Sequence, residues 1–114
     1  KSSFQLAQFN RTHLESANLV GADLRGSNFS HSNMTHANLQ DTNLQDAIFV
    51  SVSLSGARLD SADLRRANFT GANLSSAIGL TQAQLNAACV NEQTKLPPGL
   101  NRPAPCSSIK KEVR

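Results

Sequence analysis

The sequence predicts a four-sided solenoid of five-residue steps, twenty residues to a coil, closed at its C-terminal end by a short helix. Three observations predict it. Sixteen Phe, Leu and Met residues occur in residues 1–78, and fifteen of them share one five-residue register. Two residues before each register position stands a small side chain: Ala, Ser, Thr or Val52. Phe9, Phe29, Phe49 and Phe69 recur at intervals of twenty, a second period laid over the first.

The register runs Phe4, Phe9, Leu14, Leu19, Leu24, Phe29, Met34, Leu39, Leu44, Phe49, Leu54, Leu59, Leu64, Phe69 and Leu74, with only Leu6 out of phase. A period of five matches neither the 3.6 of a helix nor the 2 of a strand. A chain that bends after every fifth residue can hold it. The large centre and the small residue then point inward, and the other three positions face water. Those positions are indeed polar, Gly or charged in most repeats. Four bends close a square, so each coil takes twenty residues and one wall carries a Phe in every coil. The expected core comprises Phe9, Phe29, Phe49 and Phe69 on that wall, with Leu14, Met34, Leu54 and Leu74, and Leu24, Leu44 and Leu64, on others.

Between small residue and centre stands Asn or Asp in most repeats, as in Ala17-Asn18-Leu19, Ala22-Asp23-Leu24 and Ala72-Asn73-Leu74. This pattern resembles the pentapeptide-repeat family, whose motif reads A(D/N)LXX, over residues 2–78 without an insertion. The resemblance implies an all-β solenoid, a right-handed four-sided parallel β-helix of about four coils. Coils stacked at the ~4.8 Å strand spacing would pair each backbone group above or below and make a rod of ~19 Å. Asn and Asp would bond to backbone at the bends. Departures are local: Ile48, Arg58 and Ile78 replace the middle Asn, and Gly79 replaces the next centre, marking the expected end of the solenoid.

Residues 1–78 are therefore the β-helix, and residues 79–114 a cap helix with a Pro-rich tail. Thr81 is a good N-cap, Gln84 completes a capping box, and Leu80 and Leu85 occupy the positions of a hydrophobic staple. The helix is expected over roughly 82–89, with Leu85 and Ala88 against the last coil and Pro97-Pro98-Gly99 turning the chain beyond it. The segment resembles the C-terminal cap of many bacterial pentapeptide-repeat proteins. Its Cys89 and Cys106 are the only cysteines. They are either a small buried thiol and an idle one, or a disulfide stapling the tail. The disulfide is favoured because a Pro-rich tail without its own helix needs a staple, stabilising by roughly 3 kcal/mol. It would imply export to an oxidising compartment, a bacterial periplasm or an equivalent lumen, with the cytoplasm as the alternative. A start at Lys1 without Met suits a mature exported chain.

Composition narrows the function. The chain has 114 residues, 39% hydrophobic and 17% charged, with no Trp or Tyr, so neither disorder nor membrane insertion is expected. Net charge is +3, but residues 2–78 hold five Arg against six acids, or −1. The excess lies in the tail, so nucleic-acid binding is not expected. His13, His31 and His36 lack an evident third metal ligand, and neither Cys is placed beside a His. No phosphate-binding Gly loop occurs. The reading is a non-enzyme without cofactor or metal, a scaffold or protein-binding module with an unidentified protein partner.

Two outward features are candidate contacts: Arg25, Gln45 and Arg65 along one wall with Arg66 beside them, and Ile48 and Val50 flanking Phe49. The alternative function, implied by the resemblance, is gyrase protection or inhibition through DNA mimicry. DNA carries one charge per ~1.7 Å, so a ~19 Å mimic would want about eleven excess negatives. A body of −1 does not provide them. Ice binding by a flat wall is set aside, because outward Thr residues share no ladder. Finally, no cap precedes Phe4, so the first coil is expected to be covered, by a second copy stacked end to end as a homodimer or by further chain.

Overall fold

The structure, a computed structural model, describes residues 5–103. Within them the chain winds as a right-handed four-sided parallel β-helix. Between the coils each wall contributes one parallel bridge per coil, to the residue twenty positions on: Gln8 to Asn28, Ile48 and Asn68 in turn on the Phe wall, His13 to Asn33, Ser53 and Asn73 on the next. The third wall runs Asn18, Asn38, Arg58 and Ile78, and the fourth Asp23, Asn43 and Asp63. The bridging residue is the middle one of the repeat, so its neighbours on either side point inward by strand alternation.

One repeat shows why the pattern folds this way. In Ala37-Asn38-Leu39-Gln40-Asp41, Asn38 N–H donates down to Ala17 O (2.8 Å), while Leu39 and Asp41 N–H donate up to Arg58 and Asp60 O (2.9 Å each). Ala37 N–H closes the turn onto Met34 O at 3.0 Å. Gln40 N–H has no backbone acceptor, and the Asn38 side-chain oxygen takes it at 3.1 Å. All the repeat's N–H groups are thereby satisfied, which is what a stacked coil requires. The same side-chain bond recurs from Asn18, Asn28, Asn33, Asn43, Asn68 and Asn73 and from Asp23 and Asp63. Bonding of Asn and Asp at the bends is thus what the structure shows.

The bend expected after every fifth residue is a left-handed corner. The residue two places after each centre up to Phe69 takes a left-handed conformation, with φ near +60° at Arg11, Ser16, His31, His36, Asp41, Asp46, Ser51, Ser61 and Arg66. A turn with φ > 0 at its third position reverses the chain tightly enough to make a square. Glycine is needed where space is short as well: a Cβ on Gly56 (φ +70) would lie 2.5 Å from His36 Nδ1 in the coil beneath.

The core is the expected one. Phe29, Phe49, Phe69, Leu24, Leu44, Leu64, Met34, Leu54 and Leu74 are buried, while Phe9 and Leu14, in the first coil, are partly buried against the cluster. The rings of Phe9, Phe29, Phe49 and Phe69 stack at 5.0, 5.0 and 4.8 Å, within 9° of parallel. That pitch is the coil spacing itself.

The cap differs from expectation in two ways. Helix α1 spans Gln82–Ala87, shorter than the expected 82–89, because Ala88 turns extended as its C-cap. Its N-terminus is as anticipated: Thr81 and Gln84 form a capping box, Leu85 is buried and Leu80 packs on the core. Nor does the ladder stop at Gly79. After α1 the chain returns to the last coil, and Cys89 bridges Asn68 while Lys95 bridges Asn73. Cys89 N–H donates to Ala67 O and Phe69 N–H to Cys89 O, both at 2.7 Å. Val90 and Thr94 are buried there, and Thr94 Oγ1 donates to Phe69 O at 2.8 Å. Gly79 (φ +79) is where the chain leaves the square; a Cβ there would meet the Asp60 carboxylate at 2.5 Å. The helix therefore covers two walls and a fifth, aperiodic half-coil covers the others. Phe4, Cys106 and the end-to-end contact expected around Phe4 lie, wholly or in part, outside the described residues.

Candidate protein-binding surface

The walls are short strands, so the middle residue and the one after the centre point outward in columns repeated at the ~4.8 Å coil spacing. Arg25, Gln45 and Arg65 do share one column on the fourth wall, with Arg66 at its corner. They do not form an open cationic strip. Arg25 makes a bidentate pair with Asp23 (2.9 and 2.7 Å) and Arg65 with Asp63 (3.0 and 2.7 Å). Gln45 donates to the same Asp63 at 3.1 Å, and Arg66 reaches back one coil to Asp46 at 2.8 and 3.1 Å. These guanidinium bonds hold the Asp23, Asp46 and Asp63 carboxyls below their ordinary range and raise the three arginines. The wall is a set of closed, neutral pairs.

Ile48 and Val50 flank Phe49 on the Phe wall and are half-buried. Ile48 offers no acceptor, so Val50 N–H has none of the side-chain bonds that serve Ser30 and Thr70 in the neighbouring coils. The three histidines stand apart: His31 and His36 occupy successive corners, and His13 faces Glu15 at 3.5 Å. Among the described residues no cluster of three metal-ligating side chains occurs, and no helix is long and apolar enough to cross a membrane.

Charge is segregated between walls, and sequence reasoning missed it. In the second to fourth coils the outward residues of the Phe wall are Asn28, Ser30, Ile48, Val50, Asn68 and Thr70. Those of the adjoining wall are Asn33, Thr35, Ser53, Ser55, Asn73 and Ser75. None is charged. The ion pairs Asp23–Arg25, Arg58–Asp60 and Asp63–Arg65 all lie on the other two walls. The usable signal was the recurring Asp-Leu-Arg triplet at 23–25 and 63–65, and its reverse at 58–60.

A closed stack of five-residue corners with buried Leu and Phe centres defines a pentapeptide-type β-solenoid. The chain belongs to the pentapeptide-repeat family: the pentapeptide-repeat model matches residues 7–46 and 47–78. It is similar to a pentapeptide repeat protein of the cyanobacterium Cyanothece 51142, at 30% identity and TM-score 0.66, over 82% of this chain and 60% of that one. It is also similar to a pentapeptide repeat protein of the Arabidopsis thaliana thylakoid lumen, at 22% identity and TM-score 0.63, over 84% and 59% respectively. A third likeness, to the plasmid-mediated fluoroquinolone resistance protein QnrB1, has 17% identity and TM-score 0.49 over 87% and 68%. The chain thus spans about 60% of the length of the first two structures. No curated protein sequence matches.

Proposed function

We propose that the protein is a non-catalytic scaffold or protein-binding module that presents its outer walls to a partner. One observation carries this reading. The inner side chains and the ladder bonds are consumed by the fold, whereas the outward columns are held in register by the ladder and differ in chemistry from wall to wall. A rigid surface loses little entropy on docking. A photoreactive side chain placed at outward positions on each wall in turn (Gln45, Val50, Ser75) should cross-link to one defined species from one wall only. Cross-linking from no wall, or equally from all, would reject the reading.

Gyrase mimicry is the competing function, and the surface disfavours it. The acids that could imitate phosphates are paired with arginine. Supercoiling by gyrase should be unchanged by micromolar protein. The Cys89–Cys106 disulfide and export to an oxidising compartment belong to the same proposal; in support of the disulfide alone, no free cysteine occurs among the described residues. Mass spectrometry of unreduced native protein should find the two joined. A homodimeric contact through the N-terminal coil belongs to the same proposal.

A further inference from the structure

We propose that the second wall, the one built on His13, Asn33, Ser53 and Asn73, is a docking face for an acidic segment of a partner protein, and that protonation of the histidines around it tightens the contact. The inference rests on the protein-binding reading above and names the chemistry of the partner.

Charge sets this wall apart. All three histidines border it. His13 stands at its foot, and His31 and His36 lie two places after Phe29 and Met34, at the corners that open and close the wall. The other charges around it are Arg11 beneath His31, Glu15 beside His13, Lys95 at the top of the ladder, and Glu92 and Arg102 where the cap passes over Gly71. That is three cations against two acids. Among the described residues, neither Arg11 nor Lys95 enters an ion pair. On the third and fourth walls and their corners the balance is reversed, with Arg25, Arg58, Arg65 and Arg66 against Asp23, Asp41, Asp46, Asp60 and Asp63. Histidine is the side chain that changes charge between about pH 5 and 8. Protonation therefore adds three positive charges to the one face that already has an excess of one, and leaves the paired walls as they are.

Hydrogen-bond donors gather at the middle of the same wall. Asn33 and Asn73 accept the N–H of Thr35 and Ser75 at 3.1 Å each, whereas Ser53 is too short to accept that of Ser55. Among the described residues Ser55 N–H has no backbone acceptor either, and the Ser53 and Ser55 hydroxyls stand beside it. Asn73 Oδ1 is also held by Ser75 Oγ at 2.7 Å, which leaves Nδ2 as its outward group. His36 lies directly beneath: its N–H donates to Ser55 O at 2.8 Å, and its ring fills the space that a Cβ on Gly56 would need. A carboxylate oxygen of a ligand would take the place that the Asn oxygen holds in the coils above and below.

The wall also narrows the class of partner. An extended segment of about six residues spans its ~19 Å height, so a linear motif suffices and no globular interface is required. The wall offers nucleic-acid bases no aromatic ring to stack on. The exposed Leu6, Val20 and Ile78 lie elsewhere, so it offers a lipid surface no apolar anchor.

The test is fluorescence anisotropy of a labelled hexaglutamate peptide titrated with the full chain, at about pH 5.5 and about pH 8, in about 20 and about 200 mM salt. Binding should be about tenfold tighter at the lower pH and should weaken in the higher salt. The variant His31→Asn with His36→Asn places a residue tolerant of the left-handed corner at both sites, so its circular dichroism spectrum should be unchanged. It should lose most of the pH dependence, and Ser55→Glu should weaken binding at both pH values. Lysine keeps its charge across this range, so a peptide held by Lys110 and Lys111 would show neither effect. No binding at millimolar protein, equal binding at the two pH values, or either variant binding as wild type does overturns the proposal. Tighter binding of hexathymidylate than of the peptide overturns it too, in favour of a nucleic-acid face. Each of these results leaves the cross-linking test standing, because that test reads one partner species from one wall whatever its charge.

Discussion

The coils and the cap satisfy the same ladder by opposite means. From Ala7 to Gly71 every corner is a copy of the last, and pairing between the coils is always twenty residues away. In the cap the pairing residues are Cys89 and Lys95, offset by twenty-one and twenty-two, with a helix and a turn interposed. The coils spread their stability over equivalent layers, as solenoids do. The cap concentrates its stability in a few side chains, above all Gln84. That residue closes the capping box and also donates from Nε2 to Ala62 O (2.9 Å) and to Leu59 O (2.8 Å), which also accepts the turn bond from Ala62 N–H. A repeat solves the edge problem by repetition, and an end needs individual residues.

The comparison breaks most visibly in the coils. Leu44→Ala removes a fully buried side chain and should cost ~2–5 kcal/mol in denaturant unfolding. Gln45→Ala next to it should cost under about 0.5 kcal/mol. Equal losses would contradict the inward and outward assignment.

The cap comes next. Gln84→Ala should cost ~1–3 kcal/mol, because it removes the amide that Ala62 O and Leu59 O share and frees the Thr81 N–H. Thr81→Ala should cost about 1 kcal/mol through the lost N-cap bond alone. Hydrogen exchange should localise both losses to α1 and the half-coil before the inner coils respond. Uniform exposure would mean that cap and coils unfold as one unit.

A smaller effect has the opposite sign. Ile48→Asn should stabilise by roughly 0.5–1 kcal/mol by restoring the acceptor for Val50 N–H. A loss of stability would show that Ile48 packs within the fold and does not serve a surface.

The smallest effect concerns pH. Hydrogen bonds from arginine hold Asp23, Asp46 and Asp63 below the ordinary aspartate value of 3.8, so their contribution is present above it and is lost as pH falls through the folded values. Thermal stability should therefore fall below about pH 4, and modestly, since exposed pairs are screened. Asp46→Asn, which uncouples Arg66, should flatten part of that slope. An unchanged slope would remove the Asp46–Arg66 pair from the stability of the fold.

The sequence by itself determined the square cross-section, the buried centres, the Phe stack and the capping box. Each is written within five residues or repeated every twenty, so local pattern suffices. The left-handed corners were also present in it, as Gly21, Gly26, Gly56 and Gly71 at one repeat position, although the Ser, His, Arg and Asp sharing that position hid the signal. Only the tertiary structure decided what the charges do. Arg66 meets Asp46 because stacking brings residues twenty apart to adjacent levels, and the apparent basic strip becomes a row of neutral pairs. It alone also decided how the rod ends. The offsets at Cys89 and Lys95 depend on how a six-residue helix and the following turn fill the square, a packing question that no repeat spells out.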